Sequence, residues 1–587
     1  MWKRICVLSF PLCVCFFVQS ISAQVNLQVN ASTTKRPFFQ VGLGTNVGIW
    51  TYRSYHPASS RDPRLVSVAK EAGIKVIRFP AGNEADDSWF DRNNTTGWSS
   101  GSGLYTRTLR ADFLNSIKDF SDEIGAQLLL IVNGKIDDPA MAADIVKYCN
   151  VDNSFNIKYF EVGNEPTLYK DAYAVTPESY AQRVKRYSDA MKAVDPSIMI
   201  TGPAIHQPPL IENWLKPFLQ TSGTTTDAIT IHYYPLLATQ TNTSHGQYPS
   251  ISNLLSFEYP TNASLWHQNG CIRMVNRFME EFSYGLNHLR DQYSPGAPIG
   301  VTELSPTAGG GSLVDTTFAH AIWAADVIGR LSYYGADFIT QFLLQGRQSY
   351  AIIDSDFNIR PVWYTYVMYK RYFGDSMVET IFNDESKLSI WASRKETEPD
   401  KLYLLVINKN QSDQSATLDI SGLNYHKALV RVLSAPSISS TTGASIDNIQ
   451  ADQNCTLPDI PGTSVSVAGN TIDYTFKSYS VTSFELSDTS SLVTVSEPHT
   501  TLNGTSNWSA QLNRSGLIIK APQRKNVEIL LYDIKGKATS VIYKGFVSSG
   551  AQTFTSAAVK TAPGFYLLSV RTRNGKELYR KSLAVFE

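Results

Sequence analysis

The sequence predicts an eight-stranded parallel α/β barrel, (β/α)8, followed by an antiparallel β-sandwich and a small all-β module at the C-terminus. Three observations carry this reading. Between about residues 41 and 373 short apolar runs alternate with longer amphipathic segments, the pattern of βα units around a parallel sheet. Between about 380 and 487 helical periodicity gives way to short alternating strands, and from about 516 to 587 strand patterning returns after a Ser-, Thr- and Asn-rich stretch.

In chain order, residues 1–23 carry Lys3 and Arg4, an apolar run from Ile5 to Val18, and small residues ending at Ser22-Ala23, the layout of a cleavable export signal. The run is short for a bilayer crossing, and no later stretch approaches the roughly 20 apolar residues a membrane span requires. Residues 24–40 are expected to lend the sandwich a strand through Val25–Val29. The catalytic barrel is placed at 41–375, with strands at 41–46, 75–80, 127–133, 157–163, 198–202, 228–233, 299–303 and 336–343. Helix starts stand between them: Asp62-Pro63 precedes Leu65, Val68, Ala69 and Ala72, and Thr176-Pro177-Glu178 precedes Tyr180, Val184, Tyr187 and Met191. A doubly wound open sheet is the alternative, but Gly42-Leu43-Gly44 lacks the third glycine of a dinucleotide fingerprint. The sandwich is placed at 380–487, a linker at 488–515 and the last module at 516–587.

With 52 basic and 52 acidic residues, the chain has no net field to gather nucleic acid or an anionic membrane, so a neutral partner is expected. Aromatic residues make up 11%, enough both for the cores and for stacking on sugar faces. Beyond the leader, Cys149, Cys271 and Cys455 permit at most one disulfide and have no metal-ligand spacing. The chain has no His-Glu-x-x-His, no phosphate loop and no Gly-x-Ser-x-Gly elbow after a strand, so neither a metal nor an organic cofactor is called for.

The chemistry centres on Lys158-Tyr159-Phe160-Glu161-Val162-Gly163-Asn164-Glu165-Pro166, an apolar strand ending in a carboxylate, and on Glu303, which lies 303 − 165 = 138 residues later in Ile299-Gly300-Val301-Thr302-Glu303-Leu304. In a parallel barrel the reacting groups sit where the C-terminal strand ends converge, and these glutamates would end strands four and seven. Cleaving a glycosidic bond needs one carboxyl to protonate the departing oxygen and another to attack or stabilise the oxocarbenium-like centre. A second, ionised carboxylate close by helps the acid keep its proton, and a cation beside the nucleophile favours its ionised form.

Residues 41–373 resemble the retaining glycoside hydrolases of clan A, whose acid/base follows an Asn on strand four and whose nucleophile ends strand seven. The resemblance implies Glu165 as acid/base, Glu303 as nucleophile and Asn164 as the ligand of the sugar 2-hydroxyl. It implies Arg78, in Val76-Ile77-Arg78-Phe79-Pro80, as the arginine beneath the nucleophile, and His232 and Tyr234, in Ile231-His232-Tyr233-Tyr234-Pro235, as the pair that orients it. The expected activity is a two-glutamate double displacement on plant or algal polysaccharide, of endoglucanase, xylanase or glycosidase type. Phe79-Pro80-Ala81-Gly82-Asn83 is similar instead to the strand-two loop of α-L-arabinofuranosidases, which leaves that substrate open. A non-catalytic carbohydrate-binding surface protein on an inactive barrel is the rival from another class.

Other positions keep two readings each. Glu161 shares strand parity with Glu165 and is read mainly as a lumen residue paired with Arg78 or Lys158. His206 divides evenly between lining the site and shaping a loop. Trp50, Trp89, Tyr169, Tyr233, Trp266 and Trp363 are sugar platforms or packing. Gly309-Gly310-Gly311 is a mobile loop over the cleft or a plain linker.

The final module, with Val527-Glu528-Ile529-Leu530-Leu531-Tyr532-Asp533, Gly564-Phe565-Tyr566-Leu567-Leu568-Ser569-Val570 and Lys581-Ser582-Leu583-Ala584-Val585, resembles the C-terminal sorting domains of the type IX secretion system. That resemblance implies the type IX machinery as a partner and a secreted or cell-surface product of a Gram-negative bacterium, exported through the periplasm. A small sandwich that binds polysaccharide or stabilises the enzyme is the alternative.

Overall fold

The computed structural model describes residues 25–51, 55–56, 61–93, 106–207, 210–256 and 286–487, and in the C-terminal region 509–513, 516–521, 524–533, 538–548, 550–555, 564–572 and 577–585. The leader at 1–23, Trp266, Cys271 and most of 488–515 lie outside the described residues.

Eight strands form a closed parallel barrel: Gly42–Asn46, Val76–Phe79, Gln127–Val132, Tyr159–Val162, Met199–Ile205, Ala228–Tyr233, Ile299–Leu304 and Phe338–Gln341. Each falls on one of the eight apolar runs predicted as barrel strands. The covering helices begin where the sequence signals them. Asp62 accepts a hydrogen bond from the Arg64 N–H, and Pro63–Glu71 buries Leu65, Val68 and Ala69. Thr176 and Ser179 cap each other's backbone N–H at the start of Pro177–Val194, which buries Tyr180, Val184, Tyr187 and Met191.

The barrel interior is layered, because alternate residues of each strand point inward. Val76, Leu129, Ile131, Tyr159 and Phe338 fill an apolar layer. Two residues further along their strands stand Arg78 and Glu161, both with no exposed surface. The C-terminal end of the lumen is therefore charged, and the layer beneath it is apolar.

After the barrel, from Ser376 onward, the chain supplies nine strands of one ten-stranded, mostly antiparallel sheet. Val25–Pro37 inserts between Ser376–Phe382, antiparallel, and Gln414–Ser421, parallel. The sandwich is this single sheet curled on itself. Phe476 lies in the strand at one end of the pairing order and Phe484 near the other, yet their rings are 6.0 Å apart, in a core with Leu27, Ile390, Leu404 and Leu418. The sheet is tied to the barrel through the helix Phe318–Tyr334, where buried Asp326 pairs with Arg330 at 3.0 Å and with Lys409 at 2.9 Å. The two cations outweigh burial and hold the Asp326 carboxyl down at about 2.

The C-terminal region forms a three-stranded and a four-stranded antiparallel sheet. One correction concerns the linker. Ser509–Asn513 is a strand, paired with Gly516–Ala521 so that Leu512 faces Leu517 and Asn513 faces Gly516. Its polar composition reads as loop, but the neighbouring strand satisfies its backbone groups. Cys149 and Cys455 are both free and buried. Among the described residues no helix is long and apolar enough to cross a membrane.

Candidate active site

The turn that follows the fourth barrel strand is shaped by close backbone approach. Gly163 stands at φ +71°, and a Cβ there would meet the Tyr180 hydroxyl at 2.3 Å and the Tyr169 hydroxyl at 2.7 Å. Glu165 itself takes the left-handed region at φ +48°, ψ +54°, a strained setting for a long side chain that is held by its surroundings. Its N–H donates to the Ala204 carbonyl at 3.2 Å. The Asn164 N–H donates to Asp86 Oδ2 at 2.9 Å, and the Asn164 side-chain amide donates to Asn83 Oδ1 at 3.1 Å.

Glu303 reaches the lumen by a different device. Along the seventh strand Val301 sits opposite Ile231 and Glu303 opposite His232, which leaves Thr302 as one residue too many. This bulge re-aims the strand end. The Thr302 hydroxyl donates to Glu161 Oε1 at 3.2 Å, and the adjacent Glu303 carboxylate also faces inward, toward Arg78.

Arg78 organises the floor. Its Nε donates to Glu161 Oε2 at 2.6 Å, Nη1 to Glu303 Oε1 at 2.9 Å and to Asn46 Oδ1 at 3.0 Å, and Nη2 to Asn164 Oδ1 at 2.8 Å. One buried guanidinium thus fixes the nucleophile candidate and the residue preceding the acid candidate in a single frame. Arg78→Met should destabilise the barrel by about 3–5 kcal/mol, because Glu161 and Glu303 would stay buried without their cation. Chemical denaturation followed by tryptophan fluorescence measures this. A loss below about 1 kcal/mol would mean that the frame does not depend on the guanidinium.

The two glutamates differ in their surroundings. Glu303 Oε2 accepts a hydrogen bond from the Tyr234 hydroxyl at 2.6 Å, so both of its oxygens meet donors suited to a carboxylate. Glu165 Oε1 lies 2.8 Å from His232 Nδ1, and burial pushes its carboxyl above the ordinary glutamate range, against the lowering influence of His206 and Arg78. Burial lowers His232 to about 4, and its Nε2 is enclosed with no hydrogen-bond partner among the described residues, so the ring is neutral near pH 7. Oxygens of Glu165 and Glu303 and the His232 nitrogen lie within 4.8 Å of one another. Such a trio has the donor types of a metal site, but His232 Nδ1 already faces Glu165, and the Glu303 oxygens already face Arg78 and Tyr234.

The structure thus brings Glu165, Glu303, Asn164, Arg78, His232 and Tyr234 together. Trp50 is partly buried beside them and, like Tyr234, packs against the cluster that contains Ala81, Phe342 and Tyr350. Glu161 pairs with Arg78 and not with Lys158, whose Nζ lies over the Tyr159 ring. His206 Nδ1 is 2.6 Å from the Thr167 hydroxyl, in the turn after Glu165. Trp363 and Tyr233 are packing residues: the Trp363 indole donates to the Val68 carbonyl, and Tyr233 is buried against Trp323. Tyr169 donates to Asp86 at 2.6 Å. Gly309, Gly310 and Gly311, all at positive φ, lead from the short strand Thr307–Ala308 to the helical turn Leu313–Thr316.

Sequence reasoning missed Asn46 and Asp86, and named Asn83 only as part of the Phe79–Asn83 loop, with no role of its own. Asn46 ends the first barrel strand, and its polarity at a strand end is a usable signal. Asp86 gives no such signal, because it acts across loops. Its carboxylate accepts from the Gly134 N–H at 2.9 Å, from the Asn164 N–H and from Tyr169, and burial raises it to about 6.

No family model matches the chain. The chain is 25% identical over 359 residues to endoglucanase A of Paenibacillus lautus, a match covering 53% of this chain and 48% of that one. It is 22% identical over 215 residues to the intracellular exo-α-(1→5)-L-arabinofuranosidase of Acetivibrio thermocellus, covering 31% and 41%. It spans half or less of the length of these curated relatives. Its fold is that of the α-L-arabinofuranosidase from Thermotoga maritima, with a TM-score of 0.61, 17% identity and coverage of 79% of this chain and all of that one. The relatives and the structural neighbour are glycoside hydrolases.

Proposed function

We propose that the chain is a retaining glycoside hydrolase of clan A, in which Glu303 attacks the anomeric carbon and Glu165 first protonates the departing oxygen and then activates water. One observation carries this reading: carboxyl oxygens of the two glutamates lie within 4.8 Å, one glutamate held by a guanidinium and a phenol, the other raised by burial. Retaining pairs stand about 5–5.5 Å apart, whereas inverting pairs need about 6.5–9.5 Å to admit a water molecule. Export fits the leader-like start, and the two C-terminal sheets fit a type IX sorting module as the outer-membrane address.

The substrate class is a neutral plant or algal polysaccharide. A second reading, α-L-arabinofuranosidase, is favoured by the fold neighbour of that name and by the Pro80-Ala81-Gly82-Asn83 loop that brings Asn83 onto Asn164. Both readings share the glutamate pair. The test is hydrolysis of a panel of polysaccharides and aryl glycosides, arabinofuranosides included, with the first-formed anomer followed by NMR. Net retention is expected. Inversion would overturn the double displacement, and binding without any cleavage would favour the non-catalytic reading.

A further inference from the structure

The proposed reaction does not use Asp315, yet this residue is almost wholly enclosed, at 1% exposed. Its Oδ1 accepts from the Thr307 N–H at 3.1 Å, and its Oδ2 accepts from the Ser312 N–H at 2.6 Å, from the Ser349 hydroxyl at 3.2 Å and from the Thr307 hydroxyl. Capping of the helical turn Leu313–Thr316 accounts for the Ser312 bond alone. The others reach outside that turn, into the segments that follow the seventh and eighth barrel strands. Burial pushes the carboxyl up to about 6 against these bonds, so its ionised form is disfavoured here as it would not be in an exposed cap.

Both segments lead to Glu303. Thr307–Ala308 pairs in parallel with Leu236–Leu237, the Leu236 N–H donates to the Pro306 carbonyl at 2.9 Å, and the Ser305 N–H donates to the Tyr233 carbonyl at 3.4 Å. Tyr234, whose hydroxyl donates to Glu303 at 2.6 Å, therefore stands between two residues tied to the Thr307 segment. Ser349 adjoins Tyr350, whose ring lies 5.2 Å from Phe342, and Phe342 lies 6.4 Å from the Tyr234 ring. Gly311 closes the contact between the segments: a Cβ there, at φ +77°, would meet Ser349 Oγ at 2.2 Å and Tyr350 Cδ1 at 2.7 Å. The end of the Gly309-Gly310-Gly311 run is thus seated on the segment after the eighth strand.

We infer that Asp315 is a positioning residue for the nucleophile, acting through Tyr234: it ties Thr307 and Ser349 to one carboxylate and so keeps the Tyr234 phenol on Glu303. The inference rests on the glycosidase reading above. Asp315→Asn keeps the shape of the side chain, but the donors that now meet Oδ2 would face an amide nitrogen that cannot accept from them.

A double-mutant cycle on the full chain separates positioning from general stability. The substrate is the 2,4-dinitrophenyl glycoside of whichever sugar the panel shows to be cleaved, whose kcat/KM reports nucleophilic attack without a proton from Glu165. Asp315→Asn should lower this kcat/KM by at least about tenfold in the otherwise unmutated chain but by less than about twofold in Tyr234→Phe, where no phenol hydroxyl remains to be held. A thermal melt verifies the folding of each variant. If Asp315→Asn does not fold, Thr307→Val, which removes one hydroxyl at nearly constant shape, should show the same pattern with a loss of about threefold. Equal losses in the two backgrounds, or no loss in either, would overturn the positioning role and leave the glycosidase reading standing. If the unmutated chain cleaves nothing, both fall together.

Discussion

Glu303→Gln should reduce turnover by at least about four orders of magnitude on every glycoside the protein cleaves, because it removes the only nucleophile the proposed mechanism contains. The substitution suits the site sterically. The glutamine carbonyl can still accept from Arg78, and its amide can donate to the Tyr234 oxygen, so folding and sugar binding should survive. Two measurements separate loss of chemistry from loss of structure. Isothermal titration with an oligosaccharide should give affinity within a few-fold of the unmutated chain. A 2-deoxy-2-fluoro glycoside of the cleaved sugar, which slows turnover of the covalent intermediate, should label the unmutated chain on the peptide that contains Glu303. Residual turnover within about tenfold of the original, or label on another residue, would remove Glu303 from the nucleophile's role.

The contrast between Glu303 and Asp86 marks what a single sequence reveals about such a site. Barrel strands were legible because each is a short apolar run with a helical period on either side, and strand-end residues follow from counting. Glu165 and Glu303 follow in this way, whereas Arg78, His232 and Tyr234 are assigned through the resemblance to clan A. Whether neighbouring side chains point inward was less legible. The surplus residue Thr302, which turns both itself and Glu303 toward the lumen, arises from pairing with the sixth strand and leaves no local trace. Asp86 is harder still. It joins the loops after the second, third and fourth strands through three hydrogen bonds, and its own surroundings, Glu84-Ala85-Asp86-Asp87, read as an ordinary acidic turn. The sheet after the barrel shows the same division. Its alternating strands were clear, but their order, with Val25–Pro37 between strands about 350 and 390 residues later, was not.

The acid role makes the last prediction depend on the leaving group. Burial raises the Glu165 carboxyl, so its proton is retained above the usual glutamate range, and it acts in the protonated form when the glycosyl-enzyme is made. Activity on an oligosaccharide should therefore fall as pH rises through that raised value, since an ionised Glu165 has no proton to give the poor leaving oxygen. In Glu165→Ala, kcat/KM on oligosaccharides should drop by about 10²–10⁴-fold and this alkaline limb should disappear. A 2,4-dinitrophenyl glycoside, whose leaving group needs no proton, should still form the covalent intermediate at nearly the original rate. Without a base to activate water the intermediate then accumulates, so a rapid burst of dinitrophenol should precede slow turnover. Azide, a nucleophile that needs no base and can enter the space left by the carboxylate, should restore turnover and release a glycosyl azide of retained configuration. Equal loss on both classes of substrate, or an alkaline limb that persists in the variant, would assign the proton to another group, and His232 and His206 would be the first to examine.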